Sequence, residues 1–217
     1  MTPPSERSTV KRLPERGTYD EDTINLILDE ALICHMAFMT DRGPVVIPTI
    51  HARVGRVLYL HGSHASRMLR TAPGEQVSIA ATIVDGIVAA RSAFHHSLNY
   101  RSVVVFGAPR VVTDKKERLV AFEAITEHVL PGRWDEARRP NEKENTGTKV
   151  LALEISEASA KVRSGPPVDD EEDIALGIWA GVIPLSVTAG AAEPAPDLDP
   201  GIEVPPSVRR RSRRVSR

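Results

Sequence analysis

From Cys34 to His61 the apolar residues recur at every second position, and only one to three residues separate one run from the next. A parallel pair of strands needs a crossover of a dozen residues or more, so runs this close can pair only antiparallel. Residues 35–40, 44–54 and 56–61 read as three strands of a meander, joined by Asp-Arg-Gly and Gly-Arg turns. Residues 76–84 and 86–92 read as a second pair around Asp85-Gly86, a hairpin signal because both residues tolerate positive φ. Residues 102–113 form a long strand in which Gly107 and Pro109 mark a bulge or an edge, and residues 149–155 form another. Helical spacing is confined to two stretches. One runs from Asp20 to Ile33, with Ile24, Ile27, Leu28, Ala31 and Leu32 on one face and acid in the first turn. The other is capped by Asp114 and carries Leu119, Phe122, Ile125, Thr126 and Val129 as far as Pro131-Gly132. Many short strands with few helices predict a mainly β fold with flanking helices, a small antiparallel barrel and not a doubly wound sheet.

With 217 residues, 41% of them apolar and 26% charged, the chain can bury one core, and nothing marks a seam between two. Residues 1–19 read as a flexible segment, 20–185 as the domain, and 186–217 as a disordered linker and tail. That last stretch is rich in Pro, Ala and acid and buries too little to offset the entropy of ordering. It ends in RRRSRRVSR, whose Arg residues lack the interleaved aromatics that stack on bases, so it reads as a solvated tail and not as a nucleic-acid arm. No run approaches the ~20 apolar residues that span a bilayer, and the basic N-terminus has no apolar h-region. A cytoplasmic protein without a membrane role is expected. The single cysteine, Cys34, lies in an apolar run and reads as a buried inert thiol.

The stretch LYLHGSHASRML at 58–69 leaves a strand through His61, Gly62 and Ser63 and enters a short helix predicted from about Ala65 to Leu69. Free backbone N–H groups, the hydroxyls of Ser63 and Ser66, and the guanidinium of Arg67 would meet there, a set suited to phosphate. Ser63 as a plain helix cap with Arg67 as a surface charge is the structural alternative. Neither a GxGxxG nor a Walker lysine-serine pair is present.

This stretch, together with VIPT at 46–49, NYRSVVVFG at 99–107, PGRW at 131–134 and KVRSGPP at 161–167, resembles the pyridoxamine 5'-phosphate oxidase-like flavin-binding proteins, in the branch related to nitroimidazole reductases. The resemblance implies an antiparallel split β-barrel homodimer with FMN in two clefts at the subunit interface. Ile47, Pro48 and Thr49 would lie against the flavin ring, and Gly62, Ser63, Ser66 and Arg67 would hold the phosphate. His61 would be the substrate-facing acid or hydrogen-bond donor, and Arg101, Ser102, Lys161 and Arg163 would approach the flavin or substrate. The implied activity is transfer of hydride or electrons between flavin and a small planar acceptor, a nitroaromatic or a quinone. A flavin-, F420- or haem-binding protein without turnover is the alternative, since a cofactor brings its own chemistry and a fold does not decide function. The Arg-rich end stands where true pyridoxamine phosphate oxidases place substrate ligands, which speaks against vitamin B6 oxidation.

Other constellations carry less. His61 with His64, or His95 with His96, lacks a third ligand at metal-site spacing, so no metal is expected. His51 shares a strand with Thr49 and reads as a packed residue. A hydrolase reading of Ser63, His61 and Asp85 fails for want of a G-x-S-x-G elbow. Trp134 and Trp179 read as closing residues of the barrel or dimer surface.

Overall fold

The computed structural model describes residues 2–212; Met1 and the last five residues of the Arg-rich end lie outside the described residues. In chain order the elements are β1 (Gly17–Thr18), α1 (Glu21–Glu30), β2 (Cys34–Thr40), β3 (Gly43–Thr49), β4 (His51–Val54), β5 (Val57–Ser63), α2 (Arg67–Thr71), β6 (Val77–Ala89) and β7 (Ser97–Gly107). They continue with β8 (Arg110–Val111), α3 (Lys115–Val129), α4 (Arg133–Glu136), α5 (Glu142–Gly147), β9 (Thr148–Glu154), β10 (Glu157–Arg163), α6 (Glu171–Ile174), β11 (Gly181–Pro184) and α7 (Pro206–Ser212). All strand pairs are antiparallel. One sheet runs β1-β10-β7-β6-β2-β3 with β11 on the far part of β6, and the other runs β4-β5-β9-β8. Alternate residues of the first sheet, among them Met36, Ile79, Val103 and Val105, face Leu58, Leu60, Leu151 and Leu153 of the second across one core, and the buried side of α1 closes it.

Both long helices begin as the sequence predicts. The Asp20 carboxylate accepts from the Thr23 N–H at 2.8 Å, and the Asp114 carboxylate accepts from the Glu117 N–H at 2.8 Å. Helix α1 buries Ile24, Ile27 and Leu28 but stops at Glu30 instead of Ile33. The buried side of α3 is Ala121 and Ile125, while Leu119 and Val129 of the expected stripe stand exposed.

Three strand expectations need correction. Residues 44–54 are not one strand: the chain leaves the first sheet after Thr49 and enters the second at His51, so Ile50 is the corner. Residues 76–92 contain no hairpin. They form one continuous strand, β6, with a bulge between Val84 and Gly86, and the Asp85 carboxylate there is held by Arg101 at 2.7 Å. Gly86 is needed for space and not for a turn, because a Cβ on it would stand 3.1 Å from the Ile183 carbonyl oxygen of β11. The 102–113 strand divides at Ala108-Pro109, again where the chain changes sheets, and Gly107 there lets Leu153 approach.

The stretches set apart as tails hold specific contacts. Ser8 is buried, Arg7 pairs with Glu157, and β1 pairs with β10. At the other end the Ser207 N–H donates to Glu136 at 2.9 Å, which seats α7 on α4.

Candidate functional site

Strand β4 begins with His51 opposite Leu60 of β5, so from His61 onward that side of β5 has no neighbouring strand. On its other side β5 stays paired with β9, which sets His61 against Val150, Gly62 against Lys149 and Ser63 against Thr148. Strand β3, the edge of the first sheet, carries Ile47, Pro48 and Thr49 up to the Ile50 corner where the sheets part. Proline is tolerated there because an edge strand need not offer every N–H. Strand β3 thus ends at the corner with Ile47 and Thr49 on one side and the exposed Pro48 on the other, while His61, Gly62 and Ser63 end β5 and Ser66 and Arg67 open α2.

The loop after β5 is locally determined. The Ser66 N–H donates to the Ser63 carbonyl at 2.9 Å, and the Ala65 N–H donates to Ser63 Oγ at 3.2 Å. Ser63 Oγ thus accepts from its own loop and keeps its proton for an outside acceptor. Leu69 and Met68 are buried and anchor the loop from beneath, and a Cβ on Gly62 would stand 3.0 Å from Leu69 Cδ1. The helix starts later than the sequence suggests, at Arg67, with Ser66 at the cap position and its side chain free of a capping bond. It has five residues, so the donors that matter are the hydroxyls and the guanidinium, not the helix end.

Most arginines here are taken up by carboxylates, including Arg101, Arg110 and Arg138. Arg67, Arg70 and Lys149, by contrast, have no ion-pair partner among the described residues. The same holds for Lys143 on α5, which lines a shallow, open surface depression with Asn141, Glu142, Thr146 and Gly147. That surface adjoins the loop, since the His64 N–H points to the Gly147 carbonyl at 3.5 Å. Sequence reasoning missed Arg70, Lys143 and Lys149; Lys149 comes to the loop only through the β5–β9 register, and Lys143 only through the α5 end that meets His64.

His61 is half-buried and its Nδ1 is enclosed without a hydrogen-bond partner. Burial lowers its pKa, so the ring is held neutral and offers a lone pair and an N–H in place of a charge.

The remaining sequence candidates lie elsewhere in this chain. Ser102 and Arg101 are on β7, three strands from β3, and Lys161 and Arg163 are on β10, four strands away, about 14 and 19 Å at normal strand spacing. Their groups are also engaged. Arg101 binds Glu30 and Asp85, Lys161 Nζ donates to the Arg12 carbonyl at 2.7 Å, and Ser102 Oγ donates to the Lys161 carbonyl at 3.3 Å. Arg163 is buried against Asn99 and the Pro166 carbonyl.

His51 is fully buried, and its Nε2–H donates to the Leu28 carbonyl at 2.8 Å, one of the carbonyls left over at the end of α1. His128 does the same for Ala31 at 3.0 Å, and the two rings pack 4.9 Å apart. Cys34 is buried, and desolvation pushes its thiol up to about 12. His95, Asp170 and Asp173 gather potential ligand atoms within 4.8 Å of one another, with His95 and Asp173 half-buried and Asp170 exposed, and the His95–Asp170 contact at 3.1 Å ties the group together.

Two antiparallel sheets that part along one side, with a hydroxyl- and cation-bearing loop at the opening, define a split-barrel protein. The chain belongs to the pyridoxamine 5'-phosphate oxidase family, whose model matches residues 20–162. It is similar over nearly its whole length to the flavocytochrome Anf3 from Azotobacter vinelandii, with 36% identity, 97% of this chain and 98% of that one covered, and a TM-score of 0.92. It is also similar to the FAD and haem binding protein from Mycobacterium smegmatis, at 38% identity, 91% and 97% coverage and a TM-score of 0.87. A 5-nitroimidazole antibiotic resistance protein from Bacteroides thetaiotaomicron shares the fold at 19% identity, 67% and 86% coverage and a TM-score of 0.56. No curated protein matches the chain. No helix among the described residues is long and apolar enough to cross a membrane.

Proposed function

We propose that this protein is a flavin- and haem-binding oxidoreductase, in which FAD is held at the 61–67 loop and electrons pass between flavin, haem and a small planar acceptor. The observation that carries this is similarity at 36% and 38% identity, across 97% and 91% of the chain, to a flavocytochrome and to an FAD- and haem-binding protein. When bound, the flavin supplies hydride or single-electron chemistry and the haem supplies single-electron chemistry.

The residues fit a flavin. Ser63 and Ser66 have hydroxyl protons to give, Arg67 is a free guanidinium, and the enclosed Nδ1 of His61 lacks a polar partner. Four cations without carboxylate partners, Arg67, Arg70, Lys143 and Lys149, exceed what one phosphate needs. They favour the pyrophosphate of FAD over the mononucleotide FMN that the family resemblance implies. Neutral His61 would orient the flavin or its acceptor through a hydrogen bond, and the walls of the cleft would exclude water. The residues also fit haem, because several histidines keep a ring nitrogen uncommitted. A second copy would complete the cleft as a homodimer. The outward side of the first sheet, where Met39 and Val46 are about two-thirds exposed, is apolar enough to be covered.

The test is the purified full chain. Flavin bands together with a Soret band, release of FAD and not FMN on denaturation, and bleaching by NAD(P)H that a quinone or nitroaromatic reverses are the expected results. Colourless protein that takes up neither added FAD nor added hemin would refute the reading.

A further inference from the structure

In the sequence His95 lacks partners at metal-site spacing, and the fold supplies two. Helix α6 comes back to the turn between β6 and β7 and sets Asp170, 75 residues further along, and Asp173 beside the His95 ring. One ligand atom from each of the three lies within 4.8 Å of the others, and His95 Nε2 stands 3.1 Å from Asp170 Oδ2. Nitrogen and oxygen ligands at about 2.0–2.2 Å from one ion stand about 3.0–3.5 Å apart at cis or tetrahedral angles, and about 4.4 Å apart at most. The His95–Asp170 pair is therefore already at ligand spacing, and the trio is within a few tenths of an ångström of the widest separation that one ion allows.

The surroundings leave a cation as the missing partner. Arg91, the guanidinium nearest in the chain, is spent on Asp169, whose carboxylate accepts from its backbone N–H and from its Nη1 at 2.8 Å each. An ion pair between His95 and Asp170 accounts for one carboxylate only. The Asp173 carboxylate is half-buried and has neither a hydrogen bond nor an ion pair among the described residues. Two carboxylates facing one imidazole at this spacing repel unless positive charge lies between them. The ligands are also held in place. Asp170 stands at the cap of α6, one turn before Asp173, so both lie on one side of that turn. The His95 N–H closes its own turn on the Ser92 carbonyl at 3.1 Å, and its ring stands edge-on to Phe94 at 5.2 Å.

We propose that His95, Asp170 and Asp173 form a divalent-cation site that fastens the C-terminal run of the chain to the β6–β7 turn. One imidazole with two carboxylates suits Zn²⁺ or a neighbouring transition ion, whereas Mg²⁺ and Ca²⁺ take oxygen ligands. The ion binds Nε2 through its lone pair, with the ring proton on Nδ1, and water completes the coordination on the exposed Asp170 side. Its consequence is structural. The clamp lies next to the Arg91–Asp169 pair, just before the chain crosses to β11 and joins the far part of β6. The site is separate from the 61–67 loop and stands independently of the flavin and haem reading.

The experiment titrates the tag-free full chain with Zn²⁺ by calorimetry, with Mg²⁺ as the control, and follows limited proteolysis at the exposed Leu176-Gly177 stretch. Wild type should take up one Zn²⁺ at this site and gain protection of that stretch. Asp173→Asn should weaken Zn²⁺ binding by about tenfold or more, keep the circular dichroism of the fold, and lose the Zn²⁺-dependent protection. His95→Gln should do the same. Asp173 takes no part in the His95–Asp170 contact, so a simple ion pair would leave Asp173→Asn indistinguishable from wild type. Equal Zn²⁺ affinity in the two proteins, or no Zn²⁺ uptake by wild type, would overturn the site. Mg²⁺ bound as tightly as Zn²⁺ would overturn the ligand set by removing His95 from it.

Discussion

The paired imidazoles behind α1 make acid the most informative perturbation of this fold. Burial holds the His51 pKa down to about 4 from 6.5, its Leu28 hydrogen bond and Asp29 opposing only part of that, and burial lowers His128 as well. A group whose folded pKa is depressed this way is neutral in the native state, while the unfolded chain takes up its proton below 6.5. Stability from His51 is therefore complete above pH 6.5 and is lost as pH falls from 6.5 towards 4. At 1.36 kcal/mol per pH unit the loss is about 2 kcal/mol at pH 5 and about 3 kcal/mol at pH 4, with His128 adding in the same direction. The window from 6.5 to 5.5 isolates the histidines, because carboxylates held down in the fold, such as Glu144 and Glu157 at about 2, cost stability only once the unfolded chain takes up their protons, at pH near the ordinary 4.5 and below. Urea unfolding of wild type and His51→Gln at pH 7, 6, 5.5 and 5 gives the answer. Glutamine can donate to the Leu28 carbonyl and cannot titrate, so the variant should be less stable at pH 7 and should fall more slowly with pH. Parallel loss in both proteins would refute the assignment of the acid sensitivity to His51.

Three further outcomes follow from single contacts. Arg67→Ala should weaken flavin binding by about 1.5–3 kcal/mol, the value of a charge-assisted hydrogen bond, in an equilibrium titration of stripped protein; an unchanged Kd removes Arg67 from the site. Gly86→Ala should cost about 1–3 kcal/mol and make the chain around Ile183 more open to limited proteolysis, because the added methyl meets β11; a stable variant with β11 protected would contradict the close approach. Cys34 should stay unmodified by a thiol reagent until the protein unfolds, since a buried thiol raised to about 12 carries almost no thiolate at neutral pH; rapid native-state labelling would refute this.

What was legible in the sequence was local. Asp20 and Asp114 announce their helices because a cap and its target N–H lie three residues apart. The 61–67 loop announces itself because strand end, small residues and cation follow in order. The corner at Ile50 was hidden, since apolar and β-branched residues run through it without interruption and both sheets bury their share. Gly86 was visible as a glycine and misread, because the group that excludes a side chain there is the Ile183 carbonyl, brought in from the far end of the domain. Lys149 is likewise far from the 61–67 loop in sequence and is set against Gly62 only by the pairing of β5 with β9.

The histidines carry this furthest. In the sequence His51, His61 and His96 differ only in their neighbours, and no spacing rule sorts them. In the fold each is sorted by what its second nitrogen finds. The Leu28 carbonyl takes the Nε2–H of His51 and makes it a cap, the enclosed space around His61 leaves Nδ1 without a partner at the cleft, and the Ser92 carbonyl takes the Nδ1–H of His96 and turns its lone pair outward. An imidazole such as His51, whose Nε2–H is spent on a helix carbonyl and whose other nitrogen is walled in by protein, is a structural post. The partition predicts that substituting His51 moves stability and its pH dependence without touching chromophore content.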